Sequence, residues 1–487
     1  MKSSELVIID PSSSCHQPVP VSTVCSSPVP LVSGAGRPYR VHIETFGCQM
    51  NEYDTELVRS LLRSSGFAFT DDKETADVVL LNTCAIRENA HTKVYGHLAR
   101  LHPLKRQRNL VVGVLGCMAQ NLKQDLIAAK SIVDVLVGPD GYRRLPELIT
   151  RAIEAQEHGL TRKGLAVDLS EYETYDDILP ERLDGLNGWI AVMRGCDNFC
   201  TFCVVPYTRG RERSRDPHGI LREAEHLAAH GYKQITLLGQ NVNSYRAENW
   251  DFARLITAVA DVPGIERVRF TSPHPKDFPA ALLDAVADHP KICKHIHLPL
   301  QSGNDRILGL MDRTYTRNEY LRLVDDIRRR RSDIVLTTDI ICGFCTETDD
   351  EFQDTVRVVD EVRYHMGYVF KYSERKNTIA GRKYRDDVPE EVKTDRLNRL
   401  VDRLKTISLE HNLKAVGQTF PVLVEGEAKK SSAQWMGKTD GGITVVWEKG
   451  TDAVQPGDLV SITVTHVTAT TLFGHPLARE SRRSCGL

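Results

Sequence analysis

Cys196, Cys200 and Cys203 stand in the stretch RGCDNFCTFCVVPYTRGRERSR, with no fourth cysteine or histidine close by in sequence to complete them. A structural zinc ion takes four protein ligands and closes its coordination sphere. An iron–sulfur cube has four irons, usually ligated by four thiolates. Three thiolates leave one iron open, and an open metal position is a place for reaction. The CxxxCxxC spacing therefore favours a reactive cluster over a zinc ion or inert packing. A second set of thiols is dispersed. Cys48, Cys84 and Cys117 each end an apolar run, in YRVHIETFGC, ADVVLLNTC and NLVVGVLGC. Taken singly, each reads as a buried small apolar side chain. Three at equivalent positions read as a shared metal site.

The elements around them explain how distant cysteines can meet. Residues 38–150 alternate between strand-like runs and helical stretches such as EYDTELVRSLLRSSGF, the pattern of a doubly wound parallel sheet in an α/β fold. In such a sheet the carboxyl ends of the strands share one edge, where ligands bind. Residues 151–187 are polar and acidic and read as a linker. Residues 188–413 hold six strand-like runs separated by helices. They predict a central partial parallel (β/α)6 barrel with its site where strands end. The Cys196 stretch lies just after the first of these strands. Within this block, Asp216-Pro217 starts a helix that Gly231 stops, and Thr316 with Glu319 forms a capping box. Residues 414–480 turn to β-branched runs bounded by Gly, Pro and Asp. These predict a small antiparallel β-barrel of the oligonucleotide-binding kind, or else a structural cap. The Ser- and Pro-rich leader, 1–37, reads as disordered, and 481–487 as a tail.

With 487 residues and a formal charge of −2, the chain has room for several domains but shows no global polyanion signal. Any such site must be local. Arg209, Arg211, Arg213 and Arg215 alternate along the stretch after the cysteines and suit phosphate contacts in RNA. IRRRRSD at 327–333 reads only as a helix end whose charge suits the dipole. No run is apolar and long enough to span a membrane. A cytoplasmic location is expected, where twelve cysteines are unlike a disulfide framework. Cys15, Cys25 and Cys485 fall in the tails, and Cys293 reads as core.

CxxxCxxC with Phe202 before the last cysteine resembles the signature of the radical S-adenosylmethionine enzymes. ETFGCQMNEYDTE, LNTCAIRENA, LGCMAQ, LPLQSGND and FKYSERKNT are together similar to the MiaB-type tRNA methylthiotransferases, over residues 40–478. The resemblance implies a methylthiotransferase domain, a radical-enzyme barrel and a C-terminal TRAM domain. It implies one 4Fe–4S cluster on Cys196, Cys200 and Cys203 and another on Cys48, Cys84 and Cys117. S-adenosylmethionine chelates the open iron in that family, and one electron from an external reductant cleaves it to a 5′-deoxyadenosyl radical. Carbon 2 of the isopentenyladenosine 3′ of the anticodon then receives a methylthio group, its sulfur passing from a sulfur donor by way of the second cluster. The partner is thus a tRNA anticodon stem-loop carrying isopentenyladenosine. For the cofactor, Phe202 and the strand-end residues Gln240, Asn241, Ser272, Gln301 and Asp339 are the expected contacts. Gln49-Met50 after the first cysteine sets the chain nearer the tRNA branch than the protein-modifying one. A branch acting on threonylcarbamoyladenosine is the alternative. A non-catalytic RNA-binding module with a zinc or redox site is the reading from another class. The chain departs from the family pattern at Cys342 and Cys345, read as spectators, and at TDGGITVVWEKG, which replaces a frequently basic turn.

Overall fold

The protein is described by a computed structural model over residues 5–8, 36–85, 88–129, 132–182, 185–450 and 453–477. Strands β1 (Glu5–Ile8), β2 (Arg40–Phe46), β3 (Ala68–Phe69), β4 (Val78–Thr83), β5 (Val111–Gly116), β6 (Val135–Val137) and β7 (Arg162–Ala166) form one sheet. Their order is β1-β7-β6-β5-β4-β2-β3, with every pairing parallel. β4 and β5 are buried at every position, as parallel strands covered on both faces must be. Helices α1 (Gln49–Ser64) and α5 (Leu145–Glu157) cover one face through Leu57, Leu62, Leu148 and Ile149. Helices α2 (Glu88–Gln107), α3 (Cys117–Leu122) and α4 (Gln124–Ala129) cover the other through Val94, Leu98, Met118 and Leu126. The sheet is doubly wound, as its alternating pattern predicts.

Two expected boundaries need correction. α5 runs through residue 151 and β7 follows it into the sheet, so the first part of the expected linker belongs to the N-terminal domain. The acidic remainder is a strap fixed by arginines: Glu181 pairs with Arg59 and Arg63, Glu173 with Arg143, and Asp176 with Arg215. Its charges answer a complementary surface, which composition alone hides. Within the leader, Glu5–Ile8 is not disordered. This short apolar run adds an edge strand beside β7. The other leader residues through Ala35, with Cys15 and Cys25, lie outside the described residues, as do the tail and Cys485.

The second block supplies the six expected strands. β8 (Asn187–Ala191), β11 (Gln234–Leu238) and β14 (Arg267–Phe270) lie parallel, as do β15 (His295–His297), β16 (Val335–Cys342) and β17 (Met366–Lys371). A bridge between Val268 and Ile292 joins the halves, leaving β8 and β17 as free edges of a partial barrel. Two short antiparallel pairs intervene: β9 (Met193–Arg194) with β10 (Arg213–Ser214), and β12 (Arg246–Ala247) with β13 (Trp250–Asp251). The helices are α6 (Val205–Arg209), α7 (Pro217–Ala229), α8 (Phe252–Asp261), α9 (Ala280–Asp288), α10 (Asp305–Leu310), α11 (Arg317–Arg330), α12 (Asp349–Val362), α13 (Ile379–Lys383) and α14 (Glu390–Leu413). Asp216 caps α7 by accepting from the His218 and Gly219 N–H groups, and Thr316 with Glu319 boxes the start of α11. The arginine run at 328–331 closes α11 with local partners, Arg330 on Asp284 and Arg331 on Asp333.

β18 (Thr419–Ala428), β19 (Ser431–Thr439), β20 (Thr444–Glu448), β21 (Leu459–Val467) and β22 (Thr471–Pro476) close into a five-stranded barrel. It is not wholly antiparallel, because β20 and β22 pair in parallel. Its turn at Asp440–Gly442 docks onto the starts of the central strands. Arg267 donates to the carbonyls of Lys438 and Pro421, Arg269 to that of Thr439, and Asp440 accepts from the Lys294 N–H. A Cβ on Gly441 would stand 2.4 Å from Val335, so a larger residue there would force the two domains apart. The turn that lacks the family's basic residues is thus a docking element.

The arginines after the cysteine stretch are the largest correction. Arg209, Arg213 and Arg215 are buried at 3%, 7% and 1% exposure and cannot meet a phosphate. Arg213 forms a two-pronged pair with Asp140, and Arg215 binds Asp176, Glu223 and the Tyr53 hydroxyl. Arg209 and Arg194 converge on the Asp54 carboxylate of α1, at 2.7 and 2.8 Å. These residues lock the barrel to the N-terminal domain. Arg211 alone points outward, with its side chain 68% exposed. Removing one partner of a buried ion pair strands the other charge and costs about 3–5 kcal/mol. Asp54→Ala should therefore lower the unfolding free energy of the first denaturant transition by that amount, and its midpoint with it. Arg211→Ala should stay within about 0.5 kcal/mol of the parent. Equal midpoints for the two variants would show that the Asp54 network does not hold the domains together.

Candidate active site

β2, β4 and β5 are neighbours in the sheet, with Phe46 opposite Thr83 and Thr83 opposite Gly116. Cys48, Cys84 and Cys117 follow these aligned ends, so one edge presents all three. The chain leaves β2 for β3 on one side and returns to β4 on the other, a switch in direction of the kind that opens a ligand crevice. Gly116 turns the chain at φ +87°, and a Cβ there would lie 2.5 Å from the Asn82 side chain. The fully buried amides of Asn51 and Asn82 brace the edge: Asn51 Nδ2 donates to Asn82 Oδ1, and Asn82 Nδ2 to the Asn51 carbonyl. Asn51 Oδ1 also accepts from the Cys48 thiol at 3.4 Å. The Cys48 thiol is pulled down to about 6, first by the hydrogen bond from Cys84, against burial, and then by the Arg209 charge. Burial pushes Cys117 up, opposed by Arg209, whose Nε donates to its Sγ at 3.2 Å.

The second triad sits on the loop between β9 and β10. Gly195 starts it at φ +79°, where a Cβ would lie 1.9 Å from the Arg211 carbonyl, so only glycine fits. Phe199 takes φ +48°, an unusual angle for an aromatic residue and the type of strain found at functional loops. The Cys196 N–H donates to the Gly210 carbonyl and the Cys203 N–H to that of Cys200. Arg313, buried at 9% exposure, donates to Cys200 Sγ at 3.4 Å and to the Tyr315 hydroxyl at 3.2 Å. Burial raises the thiols of Cys196 to about 11 and Cys203 to about 12. Each triad thus has one sulfur beneath a buried guanidinium, a donor set suited to a negatively charged cluster. Among the described residues no three His, Cys, Asp or Glu side chains converge as for a single ion. A cube binds each thiolate to a different iron, so its ligands stand farther apart than those around zinc, and the residues present fit it.

The N-terminal triad and one sulfur of the second triad meet in a cavity of about 2050 Å³, lined by Cys48, Cys84 and Cys117 from one domain and Phe202 and Cys203 from the other. Gln240, Ser272, Gln301 and Asp339 also line it. Ser272 and Gln301 hold positive φ, +57° and +64°, and Gln301 Oε1 is buried without a hydrogen-bond partner. Asp339 faces His297 Nε2 at 3.4 Å. Gln240 is committed elsewhere, its Oε1 accepting from the Gly195 N–H at 2.7 Å. Asn241 is buried beside the cavity rather than lining it, with its amide donating to Glu212 at 3.3 Å. Each thus holds the cysteine loop through one end of its amide, while Gln240 also lines the cavity and Asn241 Oδ1 is buried without a hydrogen-bond partner. Cys342 and Cys345 are buried, with raised thiols, and neither lines the cavity; Cys293 is also buried.

Asp54, Arg313 and His297 were not singled out from the sequence. Asp54 carried a signal: it shares the apolar face of α1 with Met50, Tyr53 and Leu57, where a charge needs a buried partner. Arg313 and His297 carried none.

The chain matches three family descriptions in order: uncharacterized protein family UPF0004 over residues 40–138, the radical SAM superfamily over 190–359, and the TRAM domain over 413–477. It is 47% identical over 444 residues to the tRNA-2-methylthio-N(6)-dimethylallyladenosine synthase of Bacteroides thetaiotaomicron, covering 89% of this chain and 95% of that one. The synthase of Amoebophilus asiaticus is 44% identical over 458 residues, covering 90% and 93%. The chain belongs to this synthase family. Among solved structures, the radical S-adenosylmethionine methyltransferase TsrM from Kitasatospora setae aligns with a TM-score of 0.51 at 18% identity, over 68% of this chain and 72% of that one. That likeness concerns the fold. Each triad lies whole within its own domain. Changing Cys196, Cys200 and Cys203 to alanine should remove about half of the iron and acid-labile sulfide from anaerobically reconstituted protein. Changing Cys48, Cys84 and Cys117 should remove the other half. Full iron in either variant would overturn that ligand assignment.

Proposed function

We propose that the protein methylthiolates carbon 2 of the N6-isopentenyladenosine 3′ of the anticodon in tRNA. Among the structural observations, the one that carries most weight is that the whole N-terminal triad and Cys203 of the other domain's triad line one cavity. Cys196, Cys200 and Cys203 would hold the cluster that supplies one-electron cleavage of S-adenosylmethionine, and Cys48, Cys84 and Cys117 would hold the one that supplies sulfur. The chain's own residues place these chemistries face to face. α6 begins two residues after Cys203, and Arg209 at its end donates to Cys117, so five helical residues span from one triad to the other. Phe202, Ser272, Gln301 and Asp339 form the wall that holds the cofactor's nucleoside, with the unpartnered Gln301 carbonyl as a free acceptor.

The substrate adenine must leave its loop to enter, as bases do for enzymes that act on them. Arg211, lying over the Phe199 ring at 4.6 Å beside the cysteine loop, is the arginine of the run that remains available for a phosphate. An external one-electron reductant and a sulfur donor complete the proposed reaction, and a cytoplasmic location suits a tRNA substrate. No described helix is long and apolar enough to cross a membrane.

Nucleoside mass spectrometry of tRNA from a deletion strain, with and without the restored gene, tests the function. The methylthio group should return on isopentenyladenosine and on no threonylcarbamoyladenosine. The Cys48, Cys84 and Cys117 triple variant should return none, while still forming 5′-deoxyadenosine from S-adenosylmethionine. Methylthiolated threonylcarbamoyladenosine in the restored strain would assign the protein to the other branch.

A further inference from the structure

β17 pairs with β16 on one side only, and its other side faces the gap toward β8. Side chains alternate along a strand. Gly367 sits under Leu404 of α14, and Lys371 donates to Thr394 of the same helix, so the odd positions face that helix. The even positions, Met366, Tyr368 and Phe370, take the opposite face and line the cavity, which Val369 and Lys371 also touch. The Tyr368 ring stands 6.4 Å from the ring of His297 on β15.

Inward side chains of a closed parallel barrel pack into a solid core. Here Tyr368 remains 51% exposed and Phe370 47% exposed, inside the cavity lined by Cys48, Cys84, Cys117 and Cys203. Wet aromatic rings in a cavity gain little from packing, and they mark a place for a ligand with a face to cover. Their spacing says which kind. Two residues of parallel strand separate their Cβ atoms by about 6.6 Å. That is close to twice the roughly 3.4 Å rise of stacked bases. One flat ring fits between them.

We propose that Tyr368 and Phe370 bracket the substrate nucleobase, an unstacked purine drawn from an RNA loop through the gap between β8 and β17. The proposal rests on the tRNA reading above and adds the surface that receives the base. Stacking tolerates any base, so the bracket supplies hold and orientation, while discrimination falls to contacts at the base edge. Apolar ring surface also suits a purine with an alkyl group on its exocyclic nitrogen.

The test is a double-mutant cycle between protein and RNA. Full-length reconstituted protein is compared with Tyr368→Ala/Phe370→Ala and Tyr368→Leu/Phe370→Leu. Each is titrated with an anticodon stem-loop carrying isopentenyladenosine and with the same RNA abasic at that position. Both rings are half exposed, so the core is left intact, and iron content and thermal unfolding check that it is. The parent should bind the intact stem-loop about tenfold or more tighter than the abasic one. The variants should lose that difference, binding both RNAs as the parent binds the abasic one. Cleavage of S-adenosylmethionine without RNA should be unchanged. The proposal is overturned if the variants discriminate as the parent does, or if the parent does not discriminate. Loss of RNA-independent cleavage would also overturn it, giving the rings to the cofactor's own adenine. A parent that binds no tRNA stem-loop at all would defeat the tRNA reading itself, and the bracket with it.

Discussion

The Asp54 carboxylate has no exposed surface, and two guanidiniums from another domain close on it. A charge so buried must be paired, because an unpaired one is costlier than the docking it would prevent. Asp54 lies on the helix that Cys48 begins, and Arg209 ends the helix that follows Cys203. Satisfying one carboxylate therefore brings the edge of the N-terminal sheet against the mouth of the barrel. Arg209 then has its Nε left for Cys117, so the ion pair also reaches the sulfur of a ligand. Arg213 with Asp140, and Arg215 with Asp176 and Glu223, repeat the arrangement farther from the cavity.

A division of labour follows from that docking. Loops carrying the two triads are shaped by glycines that admit no side chain, Gly116 and Gly195, and by amides that brace rather than bind: Asn51, Asn82 and Gln240. The walls of the cavity are left to polar and aromatic groups at strand ends and along one free edge. The C-terminal barrel docks at the opposite ends of the central strands, through a turn whose two glycines permit close approach.

Much of this was legible in the residues. The cysteine spacing, the apolar strands ending in cysteine, the capping residues Asp216 and Thr316, and the late shift to β-branched runs each have a local physical cause, and each stands where its cause predicts. What was not legible depends on partners distant in sequence. Arg209, Arg213 and Arg215 look like a phosphate-binding stripe until Asp54, Asp140 and Asp176 are placed beside them. The acidic segment that contains Asp176 looks like a linker for the same reason. The two misread charge runs meet at Arg215 and Asp176, while Asp54 and Asp140, like the Arg59 and Arg143 that hold the acidic segment, lie elsewhere in the N-terminal domain. Gln240 and Asn241 occupy strand-end positions that fit cofactor contacts, and what the sequence did not show is that one end of each amide also holds the cysteine loop. β1 was hidden because four residues in a Ser- and Pro-rich leader carry too little signal to predict a strand.

The central claim is that the Asp54–Arg209 contact sets the second triad against the barrel cavity. The most direct test is the ratio of methylthiolated product to 5′-deoxyadenosine in Asp54→Asn, a variant that keeps the shape of the side chain and removes its charge. With both clusters loaded and cleavage of S-adenosylmethionine near the parent rate, the account predicts that this ratio falls sharply, because the radical forms while the sulfur-bearing triad is displaced. An unchanged ratio would contradict it, showing that the two triads face each other without the ion pair.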